Sequence, residues 1–376
     1  MSKRAKKEYL KEIRKRYLSS SKQDKQIILD EFCKICNYNR KYAIRLINKS
    51  NSSKKIKKRA GRHKKYNDPV IIDFLRTLWI SSNLVCSKRL KVMIALWMPF
   101  YNKPISEIQK QQLLCISPAT IDRTLLKIKS KYKKLGLSST KPGSLIKKQI
   151  PIKTNQWDES RPGFLEADTV AHCGSSLAGS FIYSVNTTDI ATGWIETRAC
   201  WGKGQTGVFE ALKSIKLALP FRILGFDSDN GGEFLNYYLL KFFRNHHIQF
   251  TRSREYQSND NAHIEQKNWT HIRQYLGYQR FDNPLILPLL NNLYCNQWSL
   301  FFNFFVPSVK LISKIRIGSK TVKKHDPPKT PFQRLLLSKE IKPKTKKQLI
   351  DLFNSLNPFL LQRSIKEQIH YILNLI

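Results

Sequence analysis

The strand pattern that begins near residue 161 limits the possible folds of this chain more than any other feature. Three segments with strand-like composition come first, and a turn near Thr192-Gly193 separates the last two: GFLEADTVAH, SFIYSVNTTD and GWIETRAC. Helical and strand-like segments then alternate: a helix over 203–219, the strand RILGF, a helix over 233–245, the strand IQFTR and a helix over 260–278. The order of elements is therefore β-β-β-α-β-α-β-α.

This order predicts one α/β domain in the middle of the chain. The first three strands form a meander, and the later strands alternate with helices that cover the sheet. We expect a mixed five-stranded sheet with helices on both faces, which is the ribonuclease-H-like fold. The chain has 376 residues, of which 41% are apolar, so it is long enough for two or three globular domains.

The charge of the chain is unevenly distributed. There are 67 Lys and Arg residues against 27 Asp and Glu residues, a formal net charge of +40. Residues 1–160 contribute +28, residues 161–283 contribute +1 and residues 284–376 contribute +11. A nearly neutral middle between two basic parts is typical of a catalytic core flanked by segments that bind a polyanion. Nucleic acid is the partner we expect, with an anionic membrane as the alternative.

The first basic part contains a helix-turn-helix pattern. Apolar residues at helical spacing predict helices over 24–34 and 39–48, and Asn37 between them suits a tight turn. Ile27, Ile28 and Phe32 share a face of the first helix, as do Ala43, Ile44 and Ile47 of the second. Basic residues of the second helix point elsewhere and are expected to contact DNA: Arg40, Lys41 and Arg45.

A strongly basic segment and a second helical unit follow. The segment KKIKKRAGRHKK holds eight basic residues in twelve, and we predict an arm along DNA phosphates that includes Arg59 and Arg62. Helices are predicted over 69–80 and 87–97, and over 118–129 after an N-cap at Ser117. That third helix resembles a recognition helix, with side chains left for DNA at Thr120, Arg123, Lys127 and Lys129.

The C-terminal part combines an uncharged apolar stretch with a basic one. Residues 283–309 carry no charge, but asparagine and proline interrupt them, so a buried helix pair is favoured over a membrane span. Basic and apolar residues then alternate towards Gly318, which predicts a DNA-binding strand or hairpin that includes Lys314 and Arg316. The final segment RSIKEQIHYILNLI has the pattern of an amphipathic helix.

The start of the chain and its cysteines favour a location in the cytoplasm. The opening MSKRAKKEYLKEIRKR is basic without an apolar run, unlike a secretory signal. Seven scattered cysteines, an odd number, are typical of reduced thiols. Cys33 and Cys36 have zinc-ligand spacing, but no second ligand pair lies nearby, which disfavours a zinc site.

Three acidic residues of the predicted core lie at positions where they could together form a catalytic metal site. Asp168 lies in the first strand among apolar residues, where an ionised carboxylate is costly without a positive partner. Asp229 directly follows the fourth strand, and Glu265 lies on the last helix. Because strands one and four are neighbours in this fold and the last helix packs beside them, we expect the three carboxylates to meet. Carboxylates suit hard cations, so they predict a site for two Mg²⁺ ions, with Mn²⁺ as a substitute.

Other acids and polar residues near this site have alternative interpretations. Asp227 and Glu166 are rivals of the proposed acids, and Asp260 is interpreted as a helix cap. His172 and His263 would contact phosphate or serve a structural role. Several residues that follow Glu265 on the last predicted helix of the core are expected to contact the DNA end: Lys267, Asn268 and Arg273. An exposed helix face would also explain their polar character.

At these acids the chain resembles the integrase-core transposases of bacterial insertion sequences, relatives of retroviral integrases. In that family thirty-five residues separate the second and third acids, as they separate Asp229 and Glu265. Its second acid is typically followed by Asn-Gly and then Glu-Phe, as in the segment DNGGEF, and GFLEAD is close to the context of its first acid. The resemblance covers residues 160–283, and the flanking helical units and the segment NFFVPSVKLISKIRIGSK also resemble one branch of the family.

The resemblance implies a function and a set of partners. It implies a DNA transposase that cleaves transposon ends and joins them to target DNA, with Asp168, Asp229 and Glu265 as catalytic metal ligands. Double-stranded DNA would be the partner, and the protein would act as a homo-oligomer on DNA, associated with the bacterial nucleoid. The chain lacks the His-His-Cys-Cys zinc domain of retroviral integrases, so DNA ends are expected to bind the helical units.

The sequence thus predicts five regions and leaves two other functions open. The regions are a helix-turn-helix DNA-binding region over 1–60, a second helical DNA-binding domain over 61–135, a linker over 136–160, the catalytic core over 161–283 and a basic C-terminal region over 284–376. One alternative function is a ribonuclease-H-like nuclease that cuts without joining. The other is a DNA-binding protein derived from an inactivated transposase.

Overall fold

A computed structural model describes residues 1–49, 65–132, 160–229, 231–234, 236–252, 262–317 and 320–376. The chain divides into two compact units, Met1–Lys64 and Lys65–Ile376. Arg59, Arg62, Gly318 and Asp260, which the sequence analysis singled out, lie outside the described residues. For His263 and Lys314, only the backbone is described.

In its described residues, 1–49, the first unit contains three helices, α1 (Lys3–Ser19), α2 (Lys22–Cys36) and α3 (Arg40–Ile47). The helices α2 and α3 lie where the sequence pattern predicts helices, and Asn37 between them takes the left-handed conformation with a φ of 52°. The pattern did not predict α1, which packs against both other helices. Its position decides which faces are buried: Leu29 lies in the core, whereas Ile27 and Ile44 are exposed, contrary to the predicted stripes.

The second unit begins with a helical part. Its elements are α4 (Pro69–Ser81), α5 (Ser87–Trp97), a 3₁₀ turn (Met98–Phe100), α6 (Glu107–Cys115) and α7 (Pro118–Lys129). The predicted N-cap is confirmed, because the Ser117 hydroxyl accepts a hydrogen bond of 3.2 Å from the Thr120 N–H. The sequence pattern did not predict α6, which begins with a capping box between Ser106 and Gln109.

A mixed five-stranded sheet follows, as predicted. Its elements are β1 (Phe164–Ala171), β2 (Ile182–Asp189), β3 (Ile195–Trp201), α8 (Gln205–Ala218), β4 (Gly225–Ser228), α9 (Tyr237–Asn245) and β5 (Gln249–Arg252). The strand order is β3-β2-β1-β4-β5. β1, β2 and β3 pair antiparallel, whereas β4 runs parallel to both β1 and β5. This order is that of a ribonuclease-H-like core.

Two hydrophobic cores cover the two faces of the sheet. On one face Leu165, Ala167 and Val185 pack with residues of α8 and α9. On the other face Val170 and Ala199 belong to a cluster that continues into the helical part at the start of this unit and into its C-terminal helices. The segments 65–132, 160–252 and 262–376 therefore share one continuous core rather than packing separately.

Two predicted boundaries in this region were wrong. β4 begins at Gly225 rather than at residue 222. The helix predicted from Glu233 begins at Tyr237, because Asn236 caps it by accepting a hydrogen bond of 2.9 Å from the Leu239 N–H. The residue at which the prediction began, Glu233, is instead buried beside β1.

The helix predicted over 260–278 is interrupted. It consists of α10 (Ala262–Lys267), a π-helical segment (Asn268–Arg273) and α11 (Gln274–Leu276). A π segment widens the helix by one residue per turn and therefore changes the direction of the side chains that follow it. Here the change falls three residues after Glu265.

The apolar stretch after residue 283 forms one interrupted helix rather than the predicted pair. It consists of α12 (Ile286–Leu293), a π segment (Tyr294–Trp298) and α13 (Ser299–Phe305). Two of its asparagines pair with the free edge of β3. The Asn291 side chain binds the backbone N–H and C=O of Ala199 at 2.8 and 3.0 Å, and Asn303 binds those of Ile195 at 2.9 and 2.8 Å.

The rest of the chain is a hairpin followed by helices. The predicted basic hairpin is confirmed as β6 (Leu311–Ile317) and β7 (Lys320–His325), which pair antiparallel. After it come α14 (Pro331–Leu337), α15 (Pro343–Ser355) and α16 (Pro358–Leu373), the last being the predicted amphipathic helix. None of the helices in the described ranges is long and apolar enough to cross a membrane.

Candidate active site

Asp168 and Asp229 are brought together by the parallel pairing of β1 and β4. Ala167 pairs with Ser228, the last residue of β4, so Asp168 in β1 and Asp229 directly after β4 both follow this pair. Burial, followed by the negative charge of Asp229, raises the pKa of Asp168 to about 8. Burial also raises the pKa of Asp229. The sequence prediction that these two residues meet is in agreement with this register.

Backbone N–H groups orient both carboxylates. The Thr169 N–H donates to Asp168 Oδ1 at 2.7 Å. The Gly231 N–H donates to Asp229 Oδ1 at 3.0 Å, within the predicted turn after β4. Among the described residues, one backbone donor thus binds one oxygen of each acid, and the other oxygen of each carboxylate has no backbone donor.

A third acidic residue, Glu233, adds a negative charge beside these two acids. Its side chain is 1% exposed and forms an ion pair of 2.9 Å with Lys203, and it accepts a hydrogen bond of 3.0 Å from the Thr169 hydroxyl. A Cβ atom at Gly231 would lie 2.5 Å from Glu233 Oε2, so a larger residue there would require the Glu233 carboxylate to move. Glu233 therefore holds the turn that carries Asp229 against the strand that carries Asp168.

Glu265 lies near these acids but is exposed at the start of α10. Its negative charge is the weakest of the carboxylate influences that raise the pKa of Asp168. Within the described ranges no group of three or more His, Cys, Asp or Glu side chains is close enough to hold one metal ion. The structure thus brings Asp168 and Asp229 together and leaves Glu265 at their periphery.

A chain of side-chain amides links Asp168 to the helix of Glu265. Asn268 Nδ2 donates to Asp168 Oδ2 at 2.6 Å, and Asn268 Oδ1 accepts from Asn186 Nδ2 at 2.8 Å. The Thr197 hydroxyl in turn donates to Asn186 Oδ1 at 2.9 Å. Because each amide has both a donor and an acceptor engaged, this chain fixes which oxygen of Asp168 receives the hydrogen bond.

The rival acids and His172 have structural roles in this site. The Thr251 hydroxyl donates to Asp227 at 2.6 Å, and Glu166 accepts from the Ile264 N–H at 3.2 Å at the start of α10. His172 is fully buried, hydrogen-bonds the Ser184 hydroxyl at 2.8 Å and stacks on Phe281. Burial lowers the pKa of His172 to about 3, so its ring is neutral near pH 7.

The residues predicted to contact DNA differ in how much of the side chain is available. On α7, Arg123 and Lys127 are exposed, whereas Lys129 forms an ion pair of 2.6 Å with Asp122. Thr120 is half-buried and joins the N-cap through a contact of 2.9 Å with the Ser117 hydroxyl.

In the first unit the three basic residues of α3 are exposed, but two of them have partners there. Arg40 forms an ion pair with Asp30, and Arg45 lies 5.3 Å from the centre of the Tyr42 ring. Lys41 is exposed on the same helix. In the hairpin, Arg316 is exposed on β6.

In the π segment after α10, the side chains of Asn268 and Arg273 point into the protein rather than towards solvent. The Arg273 guanidinium donates to the carbonyls of Ala171 at 2.7 Å and Gly277 at 3.3 Å. Asn268 is committed to Asp168 and Asn186, a role that the sequence analysis missed. Its position three residues after Glu265 on a helix was the available signal, since residues i and i+3 share a helix face. No local sequence pattern indicated that Asn186 or Lys203 belongs to the site.

Comparisons with known proteins give one clear relative. No known family model matches the chain. The uncharacterized protein y4rM of Sinorhizobium fredii is 36% identical over 337 residues, which cover 87% of this chain and 94% of that protein.

Three solved structures of integrases or an intasome are partly similar to the chain. The catalytic core domain of HTLV-2 integrase in complex with magnesium gives a TM-score of 0.28 at 17% identity, covering 39% of this chain and 90% of that one. The BIV integrase catalytic core gives 0.28 at 11% identity, covering 46% and 91%. The simian T-cell lymphotropic virus intasome in complex with PP2A regulatory subunit B56 gamma gives 0.27 at 12% identity, covering 44% and 54%.

These TM-scores are low, and the ribonuclease-H-like fold is assigned from the strand order above. The identity to the rhizobial protein is of a different kind, because it extends over nearly the whole of both chains. The chain belongs to the family of the Sinorhizobium fredii protein y4rM.

Proposed function

We propose that the protein is a DNA transposase that cleaves transposon ends and joins them to target DNA. Its active site would consist of Asp168, Asp229 and Glu265. The single observation that carries this proposal is the register of β1 and β4, which sets two partly buried carboxylates side by side. Burial first, and then repulsion by the negative charge of Asp229, raise the pKa of Asp168. Such a pair is costly to the fold unless cations bind it.

The residues present fit a hard divalent cation. The ammonium group of Lys203 pairs with Glu233, and among the described side chains neither Asp168 nor Asp229 has an ion-pair partner of its own. All available donors are oxygen atoms, which Mg²⁺ and Mn²⁺ prefer. Asp168 and Asp229 would hold the ions, with Glu265 completing the set. Bound Mg²⁺ would lower the pKa of an attacking water or hydroxyl and stabilise the leaving oxygen of the phosphodiester.

The residues of this chain would supply positioning for that chemistry. Asn268 and the Thr169 N–H fix the two oxygens of Asp168, and the Gly231 N–H fixes Asp229. Preorganised ligands lower the barrier because they do not need to rearrange during the reaction. The exposed position of Glu265 leaves it accessible to a DNA strand that approaches from solvent.

DNA binding by the basic regions belongs to the same proposal. The helix pair of α2 and α3, the helix α7 and the hairpin of β6 and β7 present basic side chains to solvent. Together with the formal charge of +40, these surfaces support double-stranded DNA as the partner. Transposon ends must be held together for joining, and this supports a homo-oligomer on DNA.

Cleavage and strand transfer on the DNA that flanks the gene would test the proposal. The wild type would be compared with Asp168→Asn and Glu265→Gln in Mg²⁺, Mn²⁺ or EDTA. Glu210→Gln is a matched control, because Glu210 is an exposed acid on α8 that forms an ion pair of 2.8 Å with Lys213. We expect nicks at defined ends and joined products, absent in both site variants and in EDTA.

The other outcomes of this experiment separate the alternative functions. Cleavage without joined products would favour a nuclease. End-specific binding without metal-dependent cleavage would favour a DNA-binding protein derived from a transposase. Activity that survives Asp168→Asn would remove the acid site from the proposal altogether.

A further inference from the structure

The hairpin of β6 and β7 carries apolar side chains that no other described part of the chain covers. Ile315, Ile317 and Val322 are 58%, 65% and 52% exposed. None of the three belongs to a hydrophobic cluster of the described residues. The base of the hairpin is fixed to the second unit, where Ser308 and Lys329 form an antiparallel bridge. A two-stranded hairpin is marginally stable in water by itself, so an apolar face of this kind is expected to have a partner.

The register of the hairpin places the three apolar residues on one face. Ile315 pairs with Val322 directly across the two strands, and Ile317 follows Ile315 by two residues on β6. Residues two apart in a strand point to the same face, and so do directly opposed residues. Arg316 and Lys323 alternate with these residues and therefore lie on the opposite face. The hairpin is thus amphipathic, with its apolar side chains concentrated on one side.

The charge of the hairpin indicates which kind of partner would cover the apolar face. Residues 309–325 contain six Lys and Arg residues and no Asp or Glu. One of them, Lys324, is exposed and lies two residues after Val322, so it borders the apolar face. A second copy of the hairpin would bring equal charges together, which disfavours self-association through this surface. Double-stranded DNA suits both properties, because phosphates line the edges of its grooves and bases form their floors.

The chemistry and the dimensions of the face favour the minor groove of DNA. Specific contacts in the major groove consist largely of hydrogen bonds to base edges, which isoleucine and valine cannot make. Apolar side chains that enter the minor groove instead insert between base steps and kink the duplex by about 20–90°. The seven residues of β6 extend over about 20 Å, the length of about six base pairs. The paired strands lie about 4.8 Å apart and the minor groove is about 6 Å wide, so entry of the hairpin requires the groove to widen.

We propose that the hairpin inserts Ile315, Ile317 and Val322 into the minor groove of duplex DNA and bends the duplex. This inference rests on the proposed function, since it takes double-stranded DNA as the partner. Cations that border the apolar face, such as Lys324, would bind phosphates at the edges of the groove. The apolar face would be buried in the complex, which accounts for its exposure in the protein alone.

Energy transfer across a short DNA duplex would test whether the protein bends DNA. The duplex would come from the flanks of the gene and carry a donor dye at one end and an acceptor at the other. The full chain would be titrated in EDTA, and we expect energy transfer to rise as the wild type binds, because bending brings the ends together. Ile317→Ser and Val322→Ser should each abolish this rise and weaken binding by about tenfold, because each removes an apolar side chain from the groove.

Two further variants separate bending from charge. Leu217→Ser, at a leucine of α8 that is 87% exposed, is the matched control and should bend DNA like the wild type. Lys324→Gln should lower the slope of log affinity against log salt by about 1 and leave the bend in place. Ile317→Ser should show the reverse, a lost bend with an unchanged salt slope. All of these side chains are exposed, so each variant should have the Tm of the wild type.

Three results would overturn the inference. DNA binding by the wild type without a rise in energy transfer would mean that the hairpin does not deform the duplex. An equal rise in the wild type and in Ile317→Ser would assign the bend to another part of the chain. Stronger binding of the wild type than of Ile317→Ser to vesicles of phosphatidylserine and phosphatidylcholine, without a DNA bend, would make an anionic membrane the partner.

The bending assay requires neither metal nor catalysis, so its outcome is independent of the cleavage experiment. DNA cleavage and joining by a wild type that does not bend DNA would overturn this inference alone. Bending by a wild type that neither cleaves nor joins DNA would support the hairpin as a DNA-binding element and overturn the transposase proposal alone.

Discussion

Asn268 donates a hydrogen bond of 2.6 Å to Asp168, and so links the helix of the third proposed acid to the strand of the first. The bond begins at the first residue of the π segment, where the helix widens. A regular helix would point the side chains after Asn268 in other directions. The π segment therefore determines how the helix from α10 to α11 packs over β1. Interrupted helices of this kind frequently occur at functional sites.

Replacing Asn268 by Ala should weaken metal binding and activity without unfolding the protein. The change leaves Asp168 Oδ2 and Asn186 Nδ2 without their partner. Loss of a residue that orients a metal ligand typically costs about 10–100-fold in metal affinity or activity. Mn²⁺ titration and the cleavage rate would measure the effect. Asn296→Ala, at an exposed asparagine of the π segment after α12, is the control. Equal metal affinity in the wild type and in Asn268→Ala would contradict the positioning role.

Asp168→Asn should stabilise the protein in EDTA, and more strongly at high pH than at low pH. In the folded protein the pKa of Asp168 is about 8, whereas its ordinary value is 3.8. The folded state therefore binds more protons between these values, and the stability contributed at Asp168 falls as pH rises from about 4 to about 8. Asparagine carries no charge and escapes this loss. Thermal unfolding at pH 5 and pH 9 would test it, and a stability gain that is the same at both pH values would count against the raised pKa.

Lys203 and Glu233 should show energetic coupling. Lys203→Met leaves the buried carboxylate of Glu233 without its cation, next to Asp168 and Asp229. Glu233→Gln removes that carboxylate charge, so adding it to Lys203→Met should recover part of the lost stability. We expect a coupling of about 1–2 kcal/mol in a double-mutant cycle measured by urea unfolding. Additive effects of the two substitutions would mean that the ion pair does not hold the turn before α9.

Asn303→Leu should destabilise the sheet. Asn303 satisfies the N–H and C=O of Ile195 on the edge strand β3, and leucine cannot. Each buried polar group left without a partner costs about 1–3 kcal/mol, so the free energy of unfolding should fall by at least about 2 kcal/mol. Asn291→Leu should act similarly at Ala199, though less, because Asn291 is only partly buried. Neutral behaviour of both variants in chemical denaturation would show that water replaces the asparagines.

The asparagines of the apolar stretch, residues 283–309, show the limit of what a local sequence pattern can predict. In the sequence these asparagines argued against a membrane span, but the pattern did not show which groups they bind. Only the packed structure places Asn291 and Asn303 along β3, about 100 residues earlier in the chain, as a substitute for a further strand. A side chain's partner across such a separation is fixed by packing, which no local periodicity encodes.

The sequence by itself determined the order of strands and helices in the core, the N-cap at Ser117, the turn at Asn37, and the acids Asp168 in β1 and Asp229 directly after β4. These features depend on backbone preferences and on residue periods of two or 3.6, which act over a few residues. The tertiary structure alone decided the start of α9, the burial of Glu233 and the commitment of Asn268 to Asp168. These depend on which distant elements share a core and which charges are left there without a partner, because desolvation and Coulomb energies depend on distance in space rather than along the chain.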